Sequence, residues 1–228
     1  MEAASNLDAT IRLAVFEECF QTGAPPSVEQ LMGRLRLPRP GVESSLDRLD
    51  AARQLKLIPG THRVLMAFPF SAVATPYRVV VDGGRAYFAN CAWDAVAFHS
   101  MLRLPVTVES FCYHCGHAIA LTIRDGHRVA GTGDAPVVYL GLPAAEWWKD
   151  IITTCSNTML FFASSEHLRV WRETRVDAAG AELTIDLVLR LSEPLYGGKM
   201  ERGFARPSRD RIIQLFHELN LTGEFWKI

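Results

Sequence analysis

The feature that most constrains the fold of this chain is a change of hydrophobic periodicity near residue 75. Before it, apolar residues recur at helical spacing, as Ile11, Val15 and Phe16 do. After it, short runs rich in β-branched and aromatic residues predict strands, the first of which ends at the Gly83-Gly84 pair. We therefore expect an α+β fold in which a helical part precedes a mixed α/β part.

The segment 1–74 predicts three helices and then a β-hairpin. The helices are expected at 7–20, 28–35 and 41–54, and the hairpin at 56–68. Ser27 followed by Gln30 has the spacing of a capping box at the start of the second helix. Because three helices followed by a hairpin is the order of a winged helix, we interpret 1–74 as a winged-helix-like domain. The second domain is then 75–228, with a C-terminal extension from residue 200.

A winged helix often binds DNA, yet the third predicted helix carries mixed charge. Arg48 and Arg53 stand there beside Glu43, Asp47 and Asp50. Acidic side chains on the same element oppose contact with phosphate groups. We therefore expect no nucleic-acid partner, and we expect this domain to pack on the next one and cover its site.

The composition is that of an ordinary soluble globular protein, with 49% hydrophobic and 21% charged residues and a formal net charge of −1. The N-terminus lacks the basic-then-apolar pattern of a signal peptide. No apolar run reaches the roughly 18–20 residues of a membrane span, so no membrane partner is expected. The five cysteines are an odd and scattered set, which does not indicate a disulfide framework. These features predict a cytoplasmic protein with reduced thiols.

Cys91 and Asp94 form the most informative chemical pair in the chain. They stand three residues apart in a segment predicted as a helix from 91 to 102, so they lie on one side of a helical turn. A thiolate there can bind a soft metal or attack an electrophile, and the carboxyl beside it can move a proton. The alternative is a buried structural cysteine next to a capping or surface aspartate.

A second cluster is Cys112-Tyr-His-Cys115-Gly-His117. The two cysteines have the spacing of a zinc knuckle, and a turn between them would let both sulfurs converge. A closed zinc site would also need His114 or His117 and a distant residue. A redox dithiol is a further alternative. A buried Cys112 with an incidental Cys115 is the interpretation that we favour.

A third polar piece of sequence is Cys155-Ser156-Asn157. It precedes the apolar segment 158–163, which is expected to be a buried strand. Alone, this piece predicts only a polar break before that strand.

Taken together, these residues resemble the alkylmercury lyase family. The resemblance is carried by Cys91-Ala-x-Asp94, by Cys112 twenty-one residues after Cys91, by Gly116 and Leu121-Thr-Ile, and by Phe161-Phe-Ala-Ser164. It covers residues 10 to 190 and includes the winged-helix-like N-terminus. The resemblance implies an N-terminal winged-helix-like domain followed by an alkylmercury-lyase-like mixed α/β domain.

The same resemblance implies a lyase that cleaves a carbon–mercury bond by protonolysis, giving a hydrocarbon and Hg(II). Cys91 and a second cysteine would hold the mercury, Asp94 would carry the proton, and Cys112 would be structural. The family's second cysteine falls on Ser156, and Cys155 stands one residue early. In an extended segment such a slip turns the side chain to the opposite face, so Cys155 would need a local bulge to reach the site. The expected catalytic residues are therefore Cys91, Asp94, Cys155 and Ser156, with Cys91 and Cys155 as the metal ligands.

Two alternatives remain open. One is a divergent family member that catalyses another lyase or hydrolytic reaction, with Cys91 as nucleophile and Asp94 as acid/base. The other is a thiol-based metal-binding regulator. The expected partner is a small-molecule substrate, and no cofactor is expected beyond the mercury of a substrate or product.

The residues beyond 200 bear on this choice, since Arg202, Arg206, Arg209 and Phe225-Trp226 are expected to cover or enlarge the site. Arginines that line the pocket would favour the other reaction, because an anionic substrate needs a guanidinium group and an alkylmercury cation does not.

Overall fold

The computed structural model describes residues 2–131, 135–175 and 180–228, with side chains from residue 6 onward. The helices of these residues are α1 (Glu2–Thr22), α2 (Val28–Leu35), α3 (Arg39–Ala51), α4 (Ala92–Leu102), α5 (Ile151–Thr158), α6 (Ser165–Glu173), α7 (Ile185–Tyr196) and α8 (Arg209–Glu218), with a 3₁₀ turn at Glu224–Trp226. The strands are β1 (Lys56–Leu57), β2 (Val64–Ala67), β3 (Phe70–Ser71), β4 (Arg78–Val81), β5 (Ala86–Phe88), β6 (Val106–Phe111), β7 (Ala118–Arg124), β8 (His127–Gly131), β9 (Val137–Leu140), β10 (Met159–Phe162) and β11 (Ala181–Thr184). The mixture of helices and antiparallel strands confirms the predicted α+β class.

The N-terminal part contains three helices and then a small antiparallel sheet of order β1-β2-β3. The capping box predicted for α2 is present, because Gln30 N–H donates to Ser27 Oγ and Ser27 N–H donates to the Gln30 side chain. Helix α1 packs against α3, with Val15 and Phe16 buried between them and the rest of the core. The predicted order of elements is therefore present, with β3 as an addition that the sequence did not predict.

A five-stranded antiparallel sheet of order β5-β4-β6-β7-β8 forms the centre of the second part. Alternate residues of its inner strands are buried, as Val79 and Val81 are in β4, which is the pattern of a sheet with one face on the core. Helix α4 packs against β4, β6 and β7, and its residues from Ala92 to Met101 are all buried. A helix that is buried on every side is a core helix, so the first turn of α4 lies within the core.

The third sheet has the order β10-β9-β11 and is antiparallel throughout. Strand β9 is the central strand of this sheet and pairs with both β10 and β11. Strand β11 ends at Thr184, which caps the N-terminus of α7. Ser164 caps the N-terminus of α6, since its hydroxyl accepts a hydrogen bond from His167 N–H.

The C-terminal residues fold back over the N-terminal helices. The guanidinium of Arg12, which is buried in α1, donates hydrogen bonds to the backbone carbonyls of Lys199 and Glu201. The predicted division at residue 74 stays a prediction, and buried side chains on both sides of it belong to one continuous core. Among the described residues, no helix is both long and apolar enough to cross a membrane.

Candidate active site

A cavity of about 370 Å³ lies between α4, α5, the end of α7 and the C-terminal residues, and Arg53, Gln54 and Phe68 line it from the N-terminal part. Cys91, Asp94 and Cys155 form its polar end, and we call it the Cys91 pocket. Their two sulfurs and one carboxylate oxygen all lie within 4.8 Å of one another. Three groups that can bind a soft metal or carry a proton therefore meet at one buried point.

Cys91 is the N-cap residue of α4, and Asp94 is the third residue of that helix. The Cys91 sulfur accepts a hydrogen bond of 3.3 Å from the backbone N–H of Asp94. This contact places the thiol against the unsatisfied N–H groups at the helix start, where the helix dipole favours a thiolate. Cys91 and Asp94 therefore lie side by side, as predicted, because both belong to the first turn of the helix.

Cys155 reaches the same point from α5, whose buried residues are Ile151, Thr154 and Cys155. This spacing is one face of a helix, so Cys155 needs no bulge to face Cys91. The expectation of an extended segment at this position was wrong. Asp150 caps the helix by accepting a hydrogen bond of 3.1 Å from Thr153 N–H, and this cap keeps the segment helical.

Ser156 does not face the pocket. It is exposed on the outer side of α5, and its hydroxyl donates a hydrogen bond of 2.8 Å to the Ile152 carbonyl. The structure thus brings together Cys91, Asp94 and Cys155, and leaves Ser156 outside the cluster.

The carboxyl of Asp94 is held at both oxygens. Tyr196 O–H donates a hydrogen bond of 2.8 Å to Oδ1, and Asn90 Nδ2 donates one of 3.1 Å to Oδ2. Burial raises the pKa of Asp94 to about 6, although the Tyr196 hydrogen bond and the charge of Lys199 act in the opposite direction. The group can therefore both accept and release a proton near neutral pH.

The thiols of Cys91 and Cys155 lie in the same buried environment, and each affects the pKa of the other in the opposite direction. Cys91 Sγ lies 3.6 Å from Asp94 Oδ2, and burial raises the pKa of Cys91 well above its usual range. The hydrogen bond from Cys91 lowers the pKa of Cys155, but burial and the Asp94 charge leave it raised overall. Burial thus favours the protonated form of both thiols, and Cys91 Sγ is within reach of Asp94 Oδ2 as a proton acceptor.

Two further residues of the site, Tyr196 and Lys199, were missed by the sequence analysis. Lys199 is buried, donates a hydrogen bond of 2.9 Å to the Phe68 carbonyl, and lies 4.3 Å from the centroid of the Tyr196 ring. Burial lowers its pKa to about 7, while the nearby Asp94 charge favours the ammonium form. The sequence offered one usable sign, because Tyr196 continues the buried face of α7 that includes Val188 and Ser192.

The outer part of the Cys91 pocket combines aromatic and cationic side chains. Its aromatic lining residues are Phe68, Trp93, Trp147, Trp148, Tyr196, Phe204 and Phe216. The guanidinium groups of Arg53 and Arg206 lie over Trp148, at 5.3 and 4.9 Å from its ring centroid. Arg53 stands beyond the end of α3 in a left-handed conformation, φ 59°, so its assignment to the third predicted helix was wrong.

The other residues expected to cover the site differ in where they lie. Arg209 lines the pocket and donates a hydrogen bond to the Ile228 carbonyl. Arg202 is turned towards α1, where it donates to Asn6 Oδ1 and Thr10 Oγ1. Trp226 packs behind the pocket wall, its ring 6.2 Å from that of Trp147.

Comparison with known proteins identifies a family that the sequence of this chain matches. Residues 70–197 match the family model described as alkylmercury lyase. The alkylmercury lyases of Bacillus cereus and Clostridium butyricum are each 30% identical to this chain over 99 residues, which are 43% of this chain and 44% of theirs. That of Staphylococcus epidermidis is 26% identical over 149 residues, 65% of each chain. The matched regions thus span from under half to about two thirds of these relatives' length.

A solved structure, described as the mercury-bound form of MerB2, has the same fold with a TM-score of 0.63. It covers 89% of this chain and 98% of that chain at 18% identity. Since the family model matches more than half of the sequence, from residue 70 to residue 197, this chain belongs to the alkylmercury lyase family.

Proposed function

We propose that this protein cleaves the carbon–mercury bond of organomercurials by protonolysis. The observation that carries the proposal is the meeting of Cys91 Sγ, Cys155 Sγ and an Asp94 carboxylate oxygen within 4.8 Å at the end of a buried pocket. Membership of the alkylmercury lyase family supports it. The proposal needs no cofactor, because the metal is part of the substrate.

Capture of the mercury is assigned to the two sulfurs. Thiolates are preferred ligands of soft metals. Two metal–sulfur bonds of about 2.3 Å span at most about 4.6 Å, and a larger soft ion spans somewhat more. The separation of Cys91 Sγ and Cys155 Sγ, at most 4.8 Å, is within this reach. Two thiolates donate charge to the metal and weaken its bond to carbon.

Proton delivery is assigned to Asp94. As the Cys91 sulfur binds mercury, its proton moves to Asp94 Oδ2, 3.6 Å away. The Cys155 proton is released to solvent. The carbon–mercury bond then breaks, and the electron pair that stays on carbon takes the proton from Asp94. The products are a hydrocarbon and Hg(II) bound by two thiolates, so one proton is consumed and one is released for each R–Hg⁺ cleaved.

The test is hydrocarbon release from methylmercury and phenylmercury by three proteins: the unmutated chain, Cys155→Ala and Ser156→Ala. Cys155→Ala is expected to lose cleavage, since one sulfur alone cannot share the metal. Ser156→Ala is the matched control, because it changes the adjacent, exposed residue of the same helix. Loss of activity in Ser156→Ala with retention in Cys155→Ala would contradict the assignment.

A second candidate function is favoured by Arg53 and Arg206. Among the described residues, neither guanidinium takes part in an ion pair. Burial lowers the pKa of Arg206, and repulsion by the charge of Arg53 lowers it further. This supports an anionic group on the substrate.

In the second candidate, Cys91 is a nucleophile and Asp94 the acid/base for another bond in an anionic substrate. The hydrocarbon assay separates the two candidates. A rate at background for the unmutated protein would exclude the first and leave the second.

We infer that the N-terminal part is winged-helix-like and covers the pocket rather than binding nucleic acid. Three helices followed by antiparallel strands support the first statement. For the second, the basic side chains of α3 are already paired: Arg48 with Asp8, and Arg39 with Glu29 and Glu43. In an electrophoretic mobility assay at low salt, we expect the purified protein to leave the mobility of a random DNA duplex unchanged.

A further inference from the structure

Cys112, Cys115 and His167 form a second cluster of metal-binding side chains, and the proposed carbon–mercury chemistry does not use it. Their two sulfurs and one imidazole nitrogen lie within 4.8 Å of one another. Cys112 and Cys115 belong to the turn between β6 and β7, and His167 is the third residue of α6. His167 is therefore the distant residue that the Cys-x-x-Cys spacing required, and the expected further ligand, His114 or His117, is not part of this cluster.

The distances are those of ligands around one metal ion. Nδ1 of His167 lies 3.4 Å from Cys112 Sγ and 3.4 Å from Cys115 Sγ. A tetrahedral zinc ion with Zn–S of about 2.3 Å and Zn–N of about 2.0–2.1 Å separates sulfur from nitrogen by about 3.6 Å. A thiol–imidazole hydrogen bond alone explains the arrangement less well, because Nδ1 has a single lone pair and can accept fully from only one thiol.

The backbone around the two cysteines is preorganised. Cys112 N–H donates to the His117 carbonyl, and Gly116 N–H donates to the Cys112 carbonyl, both at 2.8 Å. Gly116 has a φ of +72°, which a glycine adopts without strain and which closes the turn. Opposite it, Ser164 Oγ accepts from His167 N–H and fixes the first turn of α6. Little rearrangement is needed for an ion to bind.

We propose that Cys112, Cys115 and His167 bind a zinc-class divalent ion, with the fourth position open to water. Cys112 is buried and Cys115 is exposed, so the ion would enter from the Cys115 side. Two thiolates and one imidazole are a borderline-soft donor set, which suits zinc.

The bound ion would brace the active-site strand. Tyr113 N–H, inside the Cys-x-x-Cys turn, donates a hydrogen bond of 3.0 Å to the Phe161 carbonyl of β10. The same strand begins at Met159, whose sulfur lies 3.7 Å from Cys91 Sγ. A zinc ion that joins this turn to α6 therefore links two of the elements that contact β10, and we expect it to raise the unfolding temperature of the protein.

The test uses Co(II) as a probe under reducing conditions, in the full chain carrying Cys91→Ser and Cys155→Ser so that the pocket contributes no thiolate. We expect the protein to bind one equivalent of Co(II). The complex should show sulfur-to-cobalt charge-transfer absorption and the visible bands of a tetrahedral site. Zn(II) should displace the cobalt and remove both. Adding Cys115→Ser or His167→Ala should weaken binding by about tenfold or more. Adding His117→Ala is the matched control, since it changes the same turn without removing a proposed ligand.

Absence of thiolate–cobalt absorption, or absorption that survives both ligand variants, would overturn the proposal. If a variant fails to fold, alkylation of the unmutated protein serves instead: Zn(II) should slow iodoacetamide labelling of the exposed Cys115, and an unchanged rate would overturn the proposal equally. Neither measurement depends on mercury cleavage, so this proposal and the proposed function can fail separately.

Discussion

Tyr196 O–H donates a hydrogen bond of 2.8 Å to Asp94 Oδ1, although the two residues lie 102 positions apart in the chain. The bond crosses from α7 to α4, and a second bond joins the same helices, from Trp93 Nε1 to Ser192 Oγ at 2.9 Å. Helix packing thus sets the protonation behaviour of the carboxyl, since Tyr196 stabilises its ionised form against the opposing effect of burial.

Tyr196→Phe is expected to move the acid limb of the pH–rate profile to higher pH. Asp94 must be ionised to accept the Cys91 proton, so the rate should fall as pH drops through about 6. Loss of a hydrogen bond to a charged group, worth about 1.5–3 kcal/mol, raises the pKa of the carboxyl by about one to two units. Measurement of kcat/KM for phenylmercury between pH 5 and 8 checks this. An acid limb at the same pH in both proteins would mean that Tyr196 does not influence the proton transfer.

Asp94→Asn is expected to retain mercurial binding and lose hydrocarbon release. The amide has the shape of the carboxyl but cannot carry the proton, and loss of a general acid typically costs about 10²–10⁴-fold in rate. Binding is assigned to the sulfurs, so stoichiometric capture of phenylmercury should persist. Parallel loss of binding and turnover would make Asp94 a ligand or a structural residue.

Cys91→Ser is expected to abolish turnover while the protein stays folded. Serine is a good N-cap residue, so the start of α4 keeps its hydrogen bond to the Asp94 N–H and stability should change by less than about 1 kcal/mol. A hydroxyl is a poor ligand for mercury, so the chemistry is lost. Circular dichroism and hydrocarbon release are the two measurements. Most of the activity remaining would refute both enzyme candidates.

The parts of the site that the sequence predicted are those formed by local structure. Cys91 and Asp94 meet within one helical turn, and their spacing alone places them together. The helix containing Cys155 was mistaken for an extended segment because Ile151, Thr153 and Thr154 are β-branched and the strand β10 follows directly. The Asp150 cap and packing against the pocket favour the helical conformation of α5 over the strand propensity of its β-branched residues.

The remaining parts depend on contacts between distant elements. Tyr196 and Lys199 reach Asp94 only because α7 packs on α4 and the segment after it turns back under Phe68. His167 completes the Cys112 cluster because α6 packs on β10. No short-range pattern encodes such meetings, since they are set by how helices lie on the sheets.

Arg206→Met and Arg53→Met are each expected to lower activity on an anionic substrate much more than on a neutral substrate of similar shape. Para-mercuribenzoate and phenylmercury differ by one carboxylate, which the guanidinium groups of Arg53 and Arg206 beside Trp148 are placed to bind. Loss of one charge-assisted contact of about 1.5–3 kcal/mol should lower kcat/KM for the benzoate by about tenfold to a hundredfold and leave phenylmercury within about twofold. Arg202→Met is the control, because that arginine binds Asn6 and Thr10 on the outside of α1. Equal losses on both substrates would mean that Arg53 and Arg206 support the pocket wall and do not recognise an anion.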